Sequence, residues 1–448
     1  MIEFKGKYTT AKVMIDAIDG ETSSQIVSFV NDPAFTNPVA IMPDCHAGKG
    51  AVIGFTMPIT DRIVPNVIGV DIGCGMLSYR LDAKKLNYAR PWIDREIRKQ
   101  IPTGNNAHAA WGCRDKSKPN VRSLILSGRY GMEKSFPWKE FSETTNWNAP
   151  QFFDFFGLKY EPLEYDFEWF LEKCGRVGID PGYAEASVGT LGGGNHFIEV
   201  GRDEEDYLWV TVHSGSRNLG FKIAEYWQRR AVEYCETEYR KLMPEKIEKI
   251  KATLEKTKWP SAIAEAKRRL WSPDSLKHLS GELAMGYIKD MMFAQRYASI
   301  NRKAMMERIL CVLGGPDVKE TIETVHNYID PFDGIIRKGA IASYESQKMI
   351  IPFNMEDGIL VCDGRSNKEW NYSAPHGAGR VYSRSEAKRK LNVEVAAESM
   401  KQKGVYCSVL PTDEQKLAYK PAEIIEEAIK PTAKVLHRIK PILNLKAN

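Results

Sequence analysis

No stretch of the 448 residues approaches the length and apolarity needed to cross a bilayer, and Met1-Ile2-Glu3-Phe4-Lys5 offers no apolar segment of the kind a secretory leader carries. Cysteine is sparse: eight residues at no regular spacing exclude a disulfide framework and leave reduced thiols in a cytoplasm as the plain expectation. There is no internal repeat, low-complexity tract or Gly/Ser linker. Neither sign of charge dominates. The net +5 permits a nucleic-acid partner without arguing for one, because a local patch matters more than the sum. What remains is an ordinary globular composition, 43% hydrophobic and 27% charged, in a chain long enough for two or three domains.

Histidine is also rare, eight in all, yet five lie in glycine-rich or strand-end surroundings: His46, His196, His213, His326 and His376. The stretch they serve is Gly69-Val70-Asp71-Ile72-Gly73-Cys74-Gly75-Met76. The apolar run Val64, Val67, Ile68 and Val70 reads as a buried strand leading into it. Glycine lets a backbone turn sharply and approach a bound ion. Asp71 and Cys74 form a mixed hard and soft donor pair that imidazoles would complete for Zn, Mn, Fe or Cu. Alone, Asp-x-x-Cys fits a turn around an ordinary buried Cys as well as it fits a metal site. The histidines tip the balance. Asn195 and His196 follow Leu191-Gly192-Gly193-Gly194 at the mouth of a strand that reaches Glu199. His213 ends the strand begun at Trp209, just before Ser214-Gly215-Ser216-Arg217, and His326 ends another beside Asn327.

Pro43-Asp44-Cys45-His46-Ala47-Gly48-Lys49-Gly50 lacks the spacing of a P-loop, and Asp44 and His46 read as supports for the site rather than as ligands. In Ser373-Ala374-Pro375-His376-Gly377-Ala378-Gly379-Arg380, His376 sits between Pro and Gly on an expected exposed turn. Arg380 and Arg384, four apart, would share a helix face and aim two guanidinium forks at phosphate. A His held among such groups can be a nucleophile towards phosphorus; a structural turn with surface arginines is the alternative.

Elsewhere, residues 84–110 form a basic helical pattern. The aromatic stretch 111–170, with Trp111, Trp138, Trp147, Phe152, Phe153 and Trp169, reads as an insertion packed on the core, favoured over a base-stacking surface. Glu238 to Arg269 reads as a solvated helical hairpin broken at Trp259-Pro260, with a nucleic-acid-binding arm as the sharper alternative. Ile336 to Ala340 reads as a basic turn, Val405 to Leu410 as a short strand, and Pro421 as a helix start, while the Lys-rich tail from Lys430 carries no motif. Candidate ligands spread from Asp71 to His376 argue for one large domain mixing α and β.

At these motifs, six of them in order between residues 41 and 384, the sequence resembles the RtcB-type RNA-splicing ligases. The resemblance rests on the stretches around Asp44-Cys45-His46, Asp71 to Cys74, Asn195-His196, His213 to Arg217, His326-Asn327 and Pro375 to Arg380. It implies an α+β fold in a single domain over 1–448, with β-sheets flanked by helices and helical insertions about 111–170 and 240–275. It further implies a ligase that joins an RNA 3′-phosphate or 2′,3′-cyclic phosphate to a 5′-hydroxyl, using GTP and Mn²⁺. Asp71, Cys74, His196, His213 and His326 would hold two adjacent Mn²⁺ ions, with Cys74 bridging them. His376 would be the nucleophile that accepts GMP. Asn195, Asn327, Gly377, Ala378 and Gly379 would lie at the nucleotide, and Glu199, Tyr419 and Lys446 would form the guanine pocket. Arg217, Arg380 and Arg384 would contact phosphates of RNA or nucleotide. The resemblance also admits an archease-like activator, and no membrane partner.

Two other readings compete. A metal-dependent phosphodiesterase or phosphatase could use the same cluster to activate water, but would have no need of a nucleotide-accepting His376. An RNA-binding protein with a structural metal is weaker, because structural sites are usually closed and sulphur-rich and this cluster has one Cys.

Overall fold

The computed structural model describes residues 1–82, 88–108, 132–270 and 276–447. The first residues of the basic stretch (84–87) and the segment 111–131, with Trp111, lie outside them. Among the described residues, no helix is long and apolar enough to cross a membrane.

The fold is α+β, with sheets flanked by helices, as the motifs implied. The larger sheet has seven strands. One side of it is formed by β5 (Gly75–Leu81), β6 (Phe197–Arg202), β7 (Leu208–Ser214) and β8 (Val318–Val325), in the order β6-β7-β5-β8 with β8 at the edge, antiparallel throughout. The register sets the functional geometry. Phe197 pairs with His213, Gly75 with Ser214, and Gly75 also with Val325. The residues just before β6 and β5, at the end of β7 and just after β8 therefore meet at one edge of the sheet.

A second sheet of six strands includes β3 (Val39–His46), β4 (Ile53–Pro58), β9 (Asn327–Ile329) and β10 (Ile335–Lys338). His326 is the residue at which the chain leaves the first sheet and enters the second. A two-stranded ribbon, β11 (Ala340–Ala342) with β14 (Ser373–Pro375), brings His376 to the same junction.

Behind the junction runs the helix Gly281–Val312, most of whose residues are buried while Glu282, Lys303 and Glu307 remain exposed. Two of its buried polar residues, Asn301 and Arg302, hold the glycine-rich loops. Arg302 Nη1 donates to the carbonyls of Gly73 (2.9 Å) and Ser214 (2.8 Å), while its Nη2 meets Glu323 (2.8 Å). Asn301 Oδ1 accepts from the Gly189 N–H (2.8 Å), and Nδ2 donates to Gly215 O (3.1 Å). The aromatic insertion packs here too, with Phe136, Trp138, Phe141, Trp169 and Phe170 around Phe293. Trp147 stays exposed.

Several expectations need correction. The run before Asp71 is not a strand: Pro65–Ile68 is a short helix, because Pro65 at its first position fixes φ and needs no N–H partner there. Ile335–Lys338 is a strand rather than a basic turn, and Arg337 is fully buried with Asp330 (2.9 Å) and Asp333 (2.7 Å) as counter-ions. Around 405–410 only Tyr406 pairs, through one bridge to Leu443. The tail is β15 (Ala433–Lys446), a central strand of the large sheet; its bulge between Pro441 and Leu443 breaks the alternation by which it could be recognised. The hairpin breaks at 254–258, after Arg217–Thr253, and Trp259-Pro260 instead starts the second helix, Trp259–Leu270.

Arg302→Met keeps much of the volume but leaves Glu323 and two loop carbonyls without their buried partner. It is expected to lower unfolding stability by roughly 3 kcal/mol in chemical denaturation.

Candidate functional site

Each proposed metal ligand is delivered by a strand end. Asp71 and Cys74 come from the loop into β5, His196 from the glycine loop into β6, His213 from β7 and His326 from the exit of β8. Their donor atoms form two compact groups, Asp71–Cys74–His196 and Cys74–His213–His326, in each of which all donors lie within 4.8 Å of one another. Cys74 belongs to both. Its Sγ is 3.5 Å from His196 Nε2 and 3.3 Å from His213 Nε2, and His213 Nε2 faces His326 Nε2 at 3.3 Å.

These residues fit a cation. His196 Nδ1–H donates to Leu191 O (2.8 Å), which turns Nε2 towards the Asp71 carboxylate at 3.0 Å. Burial drives His213 and His326 well below the ordinary imidazole pKa, which keeps them neutral. Two neutral imidazole nitrogens and a thiol aimed at one point leave lone pairs facing each other unless a proton or a metal ion lies between them. Burial, and then the Asp71 charge, push the Cys74 thiol well up; a bound dication would reverse that and favour thiolate. Gly215 is required by contact: a Cβ there would run into the Asp71 carboxylate.

A cleft of about 300 Å³ opens over the cluster. Asp71, Cys74, His213, His326, Asn195, Glu199, Asn327, His376, Gly377, Ala378, Gly379, Arg380, Arg384, Tyr419 and Lys446 all line it. His196 lies immediately behind, as a neighbour of Asp71 and Cys74. Arg217 does not line the cleft: its guanidinium donates to Thr190 Oγ1 (3.0 Å) and Gly104 O (2.6 Å).

His376 follows β14 on a turn, but its side chain is only 17% exposed, less than the expected exposed turn suggested. Nδ1 is 2.7 Å from Oδ2 of the fully buried Asp44, and His46 Nδ1 donates to the Asp44 carbonyl at 3.0 Å. The supporting role expected for Asp44 and His46 thus falls on His376. Gly379 (φ +75°) passes so close to the Asp44 backbone that a side chain there would collide with it.

Arg380 and Arg384 do not share a helix face. Arg380 pairs by backbone with Tyr419, and Arg384 begins the helix Arg384–Lys390, which Ser383 and Glu386 cap. They converge through a different device, the buried Glu414. Its carboxylate is 3.2 Å from Arg380 Nη1, 2.8 Å from Arg384 Nη1, 3.2 Å from Lys446 Nζ and 2.6 Å from the Tyr419 hydroxyl. Deeper in, Glu199 Oε2 accepts from Asn444 Nδ2 (2.8 Å), while Oε1 has no partner among the described residues. Burial pushes the Glu199 carboxyl up to about 8.

Sequence reasoning missed Glu414 and Asn444. Glu414 lies in an unpatterned polar segment, and Asn444 in a tail without motif. Lys338 was read as part of a turn. It is buried at the end of β10, with the carbonyls of Lys49 and Asn66 as acceptors, and burial lowers its pKa to about 7.

Paired donor sets that share a thiol, beside a histidine held by a buried carboxylate and an arginine-lined cleft, are the arrangement of a class of protein that could hold metal and phosphate. Comparison with known proteins narrows the class. Residues 25–447 match the family described as tRNA-splicing ligase RtcB, and the chain belongs to that family, which makes it an RNA ligase. It is 30% identical to the RNA-splicing ligase RtcB of Escherichia coli (strain K12), over 96% of this chain and 95% of that protein. It is 24% identical to the RNA-splicing ligase RtcB of Mycobacterium tuberculosis (strain H37Rv), over 85% and 89%, and 26% identical to the tRNA-splicing ligase RtcB of Aeropyrum pernix, over 82% and 78%.

Excess Mn²⁺ is expected to stabilise the wild type by about 2–3 kcal/mol at a hundredfold over its dissociation constant, read as a rise in Tm. Cys74→Ser, which weakens both donor sets at once, should lose most of that rise. A full rise in the variant would overturn the shared-thiol reading.

Proposed function

We propose that the chain is a GTP- and Mn²⁺-dependent ligase that joins an RNA 3′-phosphate or 2′,3′-cyclic phosphate end to a 5′-hydroxyl end, in cytoplasmic RNA repair or tRNA splicing. The observation that supports this most is the 2.7 Å contact between His376 Nδ1 and buried Asp44. A carboxylate on Nδ1 keeps the proton there, leaves the Nε2 lone pair free as a nucleophile, and stabilises the positive ring formed when Nε2 is substituted.

In this reading Nε2 of His376 attacks the α-phosphorus of GTP. The N–P bond forms, the α–β P–O bond breaks and pyrophosphate leaves. An oxygen of the RNA 3′-phosphate then displaces His376 from that phosphorus, giving RNA-3′-pp-5′-G. Finally the 5′-hydroxyl loses its proton and attacks the RNA 3′-phosphorus, so that the phosphodiester forms and GMP leaves. A cyclic end is first opened by water to the 3′-phosphate. Asp71, Cys74 and His196 would hold one Mn²⁺ and Cys74, His213 and His326 a second; when bound, these ions neutralise phosphate charge.

Asn195, Asn327 and Gly377 to Gly379 would position the nucleotide phosphates and backbone, and Glu199, Tyr419 and Lys446 the base. Arg380 and Arg384, already oriented by Glu414, would meet phosphate directly. Arg217, committed to Thr190 and Gly104, would act on phosphate chiefly through its charge. The convergence of residues from Asp44 to Lys446 on one cleft supports a single catalytic domain over 1–448. An archease-like protein would act as an activator.

Incubation with labelled GTP and Mn²⁺ is expected to give an adduct stable to alkali and labile to acid, absent from His376→Ala. No adduct in the wild type, even with an activator, would favour the hydrolase reading. Guanine recognition adds a pH test. The N1–H and N2–H₂ edge needs Glu199 ionised, whereas burial holds it protonated up to about pH 8. GTP binding near neutral pH should therefore expel a proton, and affinity should rise by up to about tenfold per pH unit towards 8, then level off. Calorimetry in buffers of different ionisation enthalpy reads the proton, and Glu199→Gln should flatten the profile.

A further inference from the structure

The cleft accounts for the RNA ends, yet the chain's excess positive charge lies elsewhere. Residues 240–269 contain ten Lys and Arg against four Asp and Glu, a net of +6. The rest of the chain, with 53 basic and 54 acidic residues, carries −1. The whole net charge of an RNA ligase is thus concentrated in thirty residues, none of which is among the described residues that line the cleft.

These residues form a hairpin. The helix Arg217–Thr253 starts at Ser216, whose N–H donates to Asp71 Oδ1 (3.2 Å), so its root is tied to the metal-binding loop. Buried residues run from Leu219 to Cys235, with Met243 the last; beyond it the helix projects and Trp259–Leu270 folds back along it. At 1.5 Å per residue, Lys246 lies about 40 Å along the axis from Arg217.

A merely solvated hairpin would balance its charges in pairs one turn apart. Here Lys251 pairs with Glu248 (3.0 Å), and Lys258 (with Glu255) and Arg240 (with Glu236) pair only at 3.9 Å. Lys241, Lys246, Lys249 and Lys256 are exposed and have no ion pair among the described residues. Lys246 and Lys249 share one helix face. Unpaired, exposed lysines on a projecting helical hairpin are an arrangement that exchanges counterions for a polyanion's phosphates.

We propose that this hairpin is an electrostatic arm that holds the phosphodiester backbone of the RNA substrate tens of ångströms from the ends being joined. The proposal rests on the RNA-ligase reading and names a surface of the enzyme outside the cleft. The arm's contribution should appear with a folded RNA large enough to span that distance, and not with a short oligonucleotide that only fills the cleft.

The test is equilibrium binding by the full chain as a function of salt, with a tRNA-sized folded RNA and a short single strand as probes. It compares the wild type with the combined Lys241→Gln, Lys246→Gln, Lys249→Gln, Lys256→Gln variant. Gln keeps the helix propensity of Lys, and these side chains are exposed, so Tm should not move. For the folded RNA, the slope of log K against log salt should fall by about three, and affinity near physiological salt by about tenfold or more. The short strand should bind the variant and the wild type alike, and the corresponding Lys→Arg variant should keep the wild-type slope. An unchanged slope with the folded RNA would overturn the proposal, as would an equal loss on the short strand. Wild-type protein that binds neither RNA would overturn the RNA reading together with the arm, whereas binding without joining would fault only the chemistry.

Discussion

The site depends on one buried guanidinium. Arg302, with Asn301 beside it, lies fully buried in a long helix, and it bonds the backbone beside Cys74 and beside His213, two of the proposed ligands. Gly73 lies in a turn and Ser214 at the last position of β7, and buried carbonyls there need partners. A guanidinium offers donors in a fixed planar fork, so it can hold Gly73 and Ser214 at the same time while Glu323 balances its charge. Desolvating that charge is expensive, and breaking the set by losing one member costs more still. The return is a fixed placement of the backbone beside Cys74 and His213, which belong to the two donor groups around one thiol.

Around that anchor the work divides between two sheets. The seven-stranded sheet supplies the proposed metal ligands, because its antiparallel register brings alternate strand ends together. The six-stranded sheet supplies Asp44, which sits under His376. His326 joins the two sheets and lies 4.7 Å, ring centre to ring centre, from His376. On the far side of the cleft, one buried carboxylate, Glu414, collects two arginines, a lysine and a tyrosine hydroxyl. That arrangement fixes the direction of the cations before any phosphate arrives. It limits the reorganisation needed on binding, which is the basis of electrostatic preorganisation.

The long helix from Ser216 links chemistry to substrate size. Its root contacts Asp71 and its tip carries the charge that the rest of the chain lacks. In the proposed reading, recognition of RNA ends and attraction of a polyanion fall on opposite ends of one helix. The two can therefore be altered separately.

Much of the site was legible before folding. Glycine beside Asp71, Cys74, His196 and His376 marks places where the backbone must turn or be approached closely, and few other residue types serve there. Histidines at strand ends are likewise visible in order along the chain, and residue types alone suggest metal and phosphate chemistry. Less visible was anything that depends on partners distant in sequence. Arg337 looks like a surface charge until Asp330 and Asp333 enclose it, and β15 hides behind lysines and a bulge. Arg380 and Arg384 suggested a shared helix face, yet only the arrival of Glu414 from thirty residues away makes them converge. By itself the sequence determined which chemistry was available, since side-chain donors and glycine conformations are local properties. The tertiary structure decided which donors meet, which charges are buried and which proton stays on which nitrogen, because distance and desolvation arise only from packing.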